Sequence, residues 1–258
     1  MEKKLAIITG SSTGVGSATA MQLASTGHWN VVINYANSAN EAEATMTSCQ
    51  ALGAEVLCIQ ADVSEDLQCR DLVKQSIAKF GRIDALINNA GTTKFCEFSD
   101  LEGLDKSDFL NLYSVNVVGA YQMARAACPH LRTAGGAIVN IASIAALTGL
   151  GSSIAYAASK GAMVTLTLSM AHAFAPEVRV NAVCPGFIQG RWTKGFLGDR
   201  YEEMKAGIEK SAALKVTATN EDIAESIVYL ATQAKIMTGE IMIVDGGATL
   251  KQVTMGRR

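Results

Sequence analysis

Histidine is scarce in this chain of 258 residues: His28, His130 and His172 are the only three, and none lies near another. Charge is also sparse, at 18% of residues, where an ordinary soluble domain carries about 25%. The signs nearly balance, leaving a formal net charge of −2. The pair C-x-x-C is absent, and the six cysteines (Cys49, Cys58, Cys69, Cys96, Cys128 and Cys184) are scattered. Long apolar runs are missing as well; each is broken by Asn, Ser, Gly or a charge.

Each shortage removes a class of function. Isolated histidines and unpaired cysteines give no metal site and no disulfide framework, so buried free thiols in a reducing cytoplasm are expected. A near-neutral balance argues against nucleic acid or an anionic membrane as partner. No transmembrane helix is expected, and the apolar stretch of "MEKKLAIITG" is too short to act as a signal peptide. The basic tail "KQVTMGRR" reads as a fraying terminus rather than a nucleic-acid arm. So little charge implies extra buried surface: a sheet covered on both faces, a subunit interface, or both.

Short apolar runs are plentiful. They lie at Leu5–Thr9, Val31–Asn34, Val56–Gln60, Ala85–Asn88, Ala137–Ile141, Val178–Cys184 and Ile241–Val244. Most are rich in Val, Ile and Leu without strict alternation, as strands buried on both faces of a parallel sheet are. Between them lie stretches of helical length, among them Ala39–Leu52, Glu65–Phe80, Asp108–Leu131 and Ser152–Ala175. This alternation predicts an α/β fold: a Rossmann-type, doubly wound parallel sheet of about seven strands with helices on both faces. No linker, repeat or low-complexity tract divides residues 1–258, so a single domain is expected. The longest interruption, 187–214, carries Trp192, Phe196 and Tyr201 and is expected to form a substrate lid.

Gly10-Ser11-Ser12-Thr13-Gly14 fits the G-x-S-x-G of a hydrolase nucleophile elbow. Yet only one strand precedes Ser12, and no histidine follows in a loop after a late strand. As a phosphate-cradling turn the pieces agree better: a strand ends in the turn and a helix opens directly after it. Gly10, Gly14 and Gly16 leave backbone bare for a pyrophosphate, and the helix N-terminus presents free N–H groups and a positive dipole end. The spacing is not G-x-G-x-x-G, and no lysine follows the last glycine, which excludes a P-loop. On the turn alone, a purely structural glycine turn stays open.

A second cluster bears on chemistry. Tyr156 and Lys160 stand four apart in "YAASK" and share a helix face. A phenol with a pKa of roughly 10 is a poor proton donor or acceptor at neutral pH, and a neighbouring ammonium moves it toward the working range.

Together, "TGSSTGVG", "NNAG", Asn116, Ser143, "YAASK" and "CPG" resemble the short-chain dehydrogenase/reductase family in its compact single-domain branch, and the likeness extends to "TGEIMIVDGG" near the C-terminus. Members named as 3-oxoacyl-carrier reductases share the pattern. The resemblance implies an NAD(P)-dependent oxidoreductase interconverting a ketone and a secondary alcohol. Tyr156 is then the general acid or base, Ser143 holds the substrate oxygen, and Lys160 lowers the Tyr156 pKa and binds the nicotinamide ribose. Asn116 holds a proton-relaying water. The same resemblance assigns Gly10, Ser12, Thr13, Gly14, Val15 and Gly16 to the dinucleotide turn. Asp62 and Val63 fall beside the adenine, and Asn89, Ala90 and Gly91 beside the adenosine ribose. Pro185, Gly186 and Ile188 fall at the nicotinamide. The usual Thr four positions beyond the Gly of Pro-Gly is replaced by Gly190, with Thr193 further on.

After the second strand, Asn34, Tyr35, Asn37 and Ser38 offer neutral groups, with no acid before Glu41 and no Arg or Lys. NADP is favoured over NAD because the acid that would bind the NAD ribose is missing. Ser143, Ile144, Leu150, Tyr156 and Trp192 are expected to line a mainly apolar pocket for a small-molecule ketone or secondary alcohol. Acyl-carrier docking would need a basic patch from Lys94, Arg125, Arg191, Lys194 and Arg200. Asp108–Leu131 and Ser152–Ala175 carry surplus apolar surface, and the family resemblance implies that these helices pair between subunits in a homotetramer.

Overall fold

A computed structural model describes residues 2–250; the basic tail lies outside them. In chain order the elements are β1 (Lys4–Ile8), α1 (Gly14–Ser25), β2 (Trp29–Tyr35), α2 (Ala39–Ala51), β3 (Val56–Gln60), α3 (Asp66–Phe80) and β4 (Ala85–Asn88). Next come α4 (Lys106–Tyr113), a π-helical segment (Ser114–Gly119), α5 (Ala120–Ala134), β5 (Ala137–Ile141), α6 (Ala145–Thr148) and α7 (Ile154–Phe174). The chain closes with β6 (Arg179–Pro185), α8 (Arg191–Leu197), a 3-10 turn (Gly198–Arg200), α9 (Tyr201–Ser211), α10 (Asn220–Thr232) and β7 (Ile241–Val244).

All seven strands pair in parallel, in the order β3-β2-β1-β4-β5-β6-β7. The lack of strict alternation in the strand sequences now has its cause. In β1, Ala6 and Ile8 join one apolar cluster with α1, α2 and α10, while Leu5 and Ile7 join another with α3, α5 and α7. Both strand faces are therefore desolvated, and each buried aliphatic side chain contributes about 1.5–3 kcal/mol.

Two expectations change. The helix expected over Asp108–Leu131 is broken by the π-helical turn at Ser114–Gly119, which puts Asn116 on an irregular stretch; such turns inside helices often occur at functional sites. The expected lid is not an open loop: α8, the 3-10 turn and α9 occupy most of it. Five of the six free cysteines are buried and Cys58 is half-buried. Among the described residues, no helix is long and apolar enough to cross a membrane, and no cluster of His, Cys, Asp or Glu is arranged to hold a metal ion.

Strand order reverses between β1 and β4, so the crevice beyond their C-terminal ends is the binding position of this architecture. Both glycine turn and Asn88–Gly91 stand there. All three histidines lie at the other end of the sheet: His28 precedes β2, while His130 and His172 sit in the last turns of α5 and α7. Ser12 therefore has no histidine within reach, and the nucleophile-elbow reading falls.

Candidate active site

The turn after β1 is braced from two sides. Gly10, at φ +60, donates its N–H to Asn34 Oδ1 at 3.1 Å. The Asn34 amide donates to the carbonyls of Ile59 and Ala61. Asn34 is thus buried and fully spent inside the fold, which corrects its assignment as a cofactor contact. Asn89 likewise uses its side-chain amide on the carbonyls of Thr9 and Gly10, at 2.8 and 2.9 Å. Thr9 Oγ1 accepts the N–H groups of Asn89 and Ala90. Thr9 was not singled out in the sequence; it reads as an ordinary strand residue.

Beyond this brace, α1 opens with no side-chain cap at Thr13. Its first N–H groups have no intrahelical acceptor, and among the described residues the hydroxyls of Ser12 and Thr13 have no bonding partner. Free N–H groups at a helix start, on a turn that two asparagines hold rigid, match the chemistry of a dinucleotide's phosphates. The residues present fit the group. In the second segment, Asp62 Oδ1 accepts both the N–H and the hydroxyl of Ser64. It does not cap α3, whose N-cap is Glu65. Val63 buries its side chain and gives its carbonyl to Gln122. Asn37 is exposed and Ser38 half-buried, each with a free side chain.

The reactive cluster sits on β5, α7 and the π-helical turn. Ser153 caps α7 and accepts the Tyr156 N–H at 3.2 Å, which sets where the phenol begins. Ser159 donates to the Tyr156 carbonyl and accepts from Asn116 Nδ2 at 3.0 Å. Asn116 also donates to the Thr92 carbonyl and accepts the Thr92 N–H. Its side chain therefore ties the Gly91–Thr92 loop to α7.

Tyr156 is partly buried. Burial pushes the phenol up to about 12, with Ser143 acting the other way; the Ser143 hydroxyl accepts the Ala145 N–H at 3.1 Å. Lys160 donates Nζ to the Ile141 carbonyl at 2.7 Å and stands 5.7 Å from the Tyr156 ring centroid. Lys160 itself is pulled down to about 8 by burial. Its unfolded value lies near 10.5, so between about pH 8 and 10 the unfolded chain binds more protons and stability rises with pH. Urea melts across that window should show the rise in the wild type and lose it in Lys160→Met.

Gly91, Thr92, Thr93, Trp192 and Phe196 line a cleft of about 280 Å3. A Cβ on Gly91 would stand 3.3 Å from Asn116 Oδ1 and 3.7 Å from Lys160 Nζ, which puts the reactive cluster against the cleft floor. Of the expected pocket residues, Trp192 lines it and Phe196 joins it. Leu150 is exposed, and none of Ser143, Ile144, Leu150 and Tyr156 is among the lining residues. Phe95, which the sequence reading missed, stacks on Phe196 with centroids 6.2 Å apart. Pro185 gives its carbonyl to Ile144, and Gly186 donates to Val244. Thr193 is buried with its hydroxyl on the Ile188 carbonyl at 2.6 Å. Gly190 has φ +156, a conformation that the usual Thr would hold only under strain.

Fold and site define a doubly wound, dinucleotide-binding α/β protein. A family model described as "Enoyl-(Acyl carrier protein) reductase" matches residues 10–249. Ketoacyl reductase 2 of the granaticin polyketide synthase of Streptomyces violaceoruber is similar at 38% identity, over 96% of this chain and 97% of that protein. A 3-oxoacyl-acyl-carrier-protein reductase of Staphylococcus epidermidis is 34% identical over 95% of this chain and 98% of its own. Among solved structures, a short-chain dehydrogenase/reductase from Burkholderia xenovorans superposes with a TM-score of 0.90 at 38% identity, covering 97% of this chain and 100% of that one. A xylitol dehydrogenase solved with NAD+ gives 0.86 at 26% identity, covering 95% and 98%. The chain belongs to the short-chain dehydrogenase/reductase family and is an oxidoreductase acting on CH–OH and C=O groups.

Proposed function

We propose that this oxidoreductase reduces a small ketone to a secondary alcohol with NADPH, using Tyr156 as the proton donor. The observation that carries this reading is buried Lys160 with its Nζ 5.7 Å from the Tyr156 ring centroid, against a cleft lined by Gly91. The glycine turn would hold the dinucleotide's phosphates, and the bound cofactor would supply a hydride to the carbonyl carbon. Ser143 holds the carbonyl oxygen, Tyr156 passes its phenolic proton to it, and Lys160, close by, stabilises the phenolate that remains. Asn116 fixes the cleft floor through Thr92 and fixes α7 through Ser159. Trp192 and Phe196 exclude water from the reacting centre.

A free small molecule fits better than a carrier-bound acyl chain. Of the cations that could dock an acidic carrier, four already face carboxylates: Lys94 with Asp108, Arg125 with Asp66, Arg191 with Glu41 and Arg200 with Glu97. Lys194 lies over the Tyr201 ring. The named activities of the ketoacyl-reducing relatives support 3-oxoacyl thioesters as the second substrate class. Exposed Leu110, Val118, Tyr121 and Leu168 on α4 to α7 support assembly through these helices as a homotetramer.

A panel of free ketones and 3-oxoacyl thioesters, followed by nicotinamide absorbance, tests the reading. The expected result is a lower KM for NADPH than for NADH and a higher kcat/KM for free ketones. Turnover confined to carrier-bound thioesters would transfer the assignment to the second class.

A further inference from the structure

The cation that a 2′-phosphate needs is missing from the segment after β2, yet the fold brings one there from 150 residues away. We infer that Arg191 selects the phosphorylated dinucleotide by binding its 2′-phosphate, with Glu41 as the resting counter-ion; this rests on the NADP reading above.

Arg191 Nη1 lies 2.8 Å from Glu41 Oε1. Glu41 stands in the first turn of α2, three residues beyond Ser38. In doubly wound folds the residues that follow β2 meet the ribose 2′ group, so the guanidinium is beside that position. Between Asn34 and Glu41 there is no Lys or Arg. The Arg191 segment also borders the glycine turn: Cβ atoms built on Gly14 and on Gly190 would stand 3.7 and 3.5 Å from the same Asn220 side-chain amide. The Arg191–Glu41 pair thus joins the start of α8 to the start of α2, alongside the opening of α1.

This ion pair is built to exchange. Side-chain exposure is 67% for Arg191 and 40% for Glu41, so solvent screening leaves the contact weak. Arg191 makes one hydrogen bond, to Glu41, out of the five N–H donors that a guanidinium carries. A phosphate dianion offers more charge and a bidentate fit, and it displaces a single carboxylate from that fork. Asn37 and Ser38, with free side chains, add neutral donors. Glu41 then has two effects: it orients Arg191 when no nucleotide is bound, and it repels the phosphate that replaces it.

Direct binding of NADPH and of NADH to the full chain, read by nucleotide fluorescence, tests this without turnover. Arg191→Met should weaken NADPH about tenfold or more, the loss expected for a charged hydrogen bond, and NADH by less than about threefold. Arg191→Lys should keep part of the preference, and Glu41→Gln should tighten NADPH. Equal weakening of both nucleotides would overturn the inference in favour of a contact to the shared diphosphate, and unchanged affinities would overturn it outright. A wild type that binds NADH more tightly sinks the NADP reading itself, before any variant is compared.

Discussion

Tyr156→Phe is expected to lower turnover by about 10²–10⁴-fold, the range lost with a positioned general acid, while nucleotide affinity stays within about threefold. The physical basis is local. The variant removes one oxygen from a ring whose backbone is held by Ser153 and Ser159, so the helix, the glycine turn and the cleft should persist. What disappears is the phenolic proton beside Ser143 and Lys160. The phenol starts near 12 in this geometry, well above neutral pH, so it is fully protonated and ready to donate to a carbonyl. The reverse reaction, alcohol oxidation, needs the phenolate and should accelerate as pH rises toward that value. Steady-state kinetics in both directions, with nucleotide binding measured in parallel, checks both statements. A variant that turns over at wild-type rate would remove Tyr156 from the chemistry.

Gly16→Ala should damage both stability and nucleotide binding. A Cβ there would lie 2.6 Å from Asn89 Nδ2, 2.8 Å from the Gly10 carbonyl oxygen and 2.8 Å from Ser11 Cα. Two of those atoms are backbone and cannot swing aside, and the third belongs to the amide that clamps Thr9 and Gly10. Overpacking of this kind costs about 1–3 kcal/mol or more, which lowers Tm by about 2–4 °C per kcal/mol for a domain of this size. Because the displaced atoms are the brace of the turn, nucleotide binding should fall with stability. Gly53→Ala is the control: it has φ +87 but nothing within 4 Å of the added carbon. Its cost should be confined to backbone strain of about 1 kcal/mol, with binding intact. Thermal melts and nucleotide titrations on the two variants separate close approach from conformational strain.

These expectations rest unequally on sequence and fold. Val56–Gln60, Ala85–Asn88, Ala137–Ile141 and Ile241–Val244 appear in the structure with the bounds read from their apolar runs. In β4 and β5 the cause is burial on both faces, while β3 and β7 are half-buried strands at the two edges of the sheet. Tyr156 and Lys160 were equally legible, since helical spacing alone puts them on one face. The π-helical turn around Asn116 was not, because no residue type requires it. Asn34 and Asn89 read as ligand contacts because both stand at the site. Only the crossing of β1, β2 and β4 turns their amides inward.

By itself, then, the chain's order of residues determined the doubly wound architecture, the bare turn at Gly10–Gly16 and the placing of Tyr156 and Lys160 on one helix face, because strand burial, glycine freedom and helical periodicity are all local. Tertiary structure decided what depends on contacts between distant segments: Asn116 bonded to Thr92 and Ser159, Phe95 stacked on Phe196, and Arg191 carried to the start of α2. Such pairings arise from how helices seat on a twisted sheet, and no window of neighbouring residues encodes the distance between residues 41 and 191.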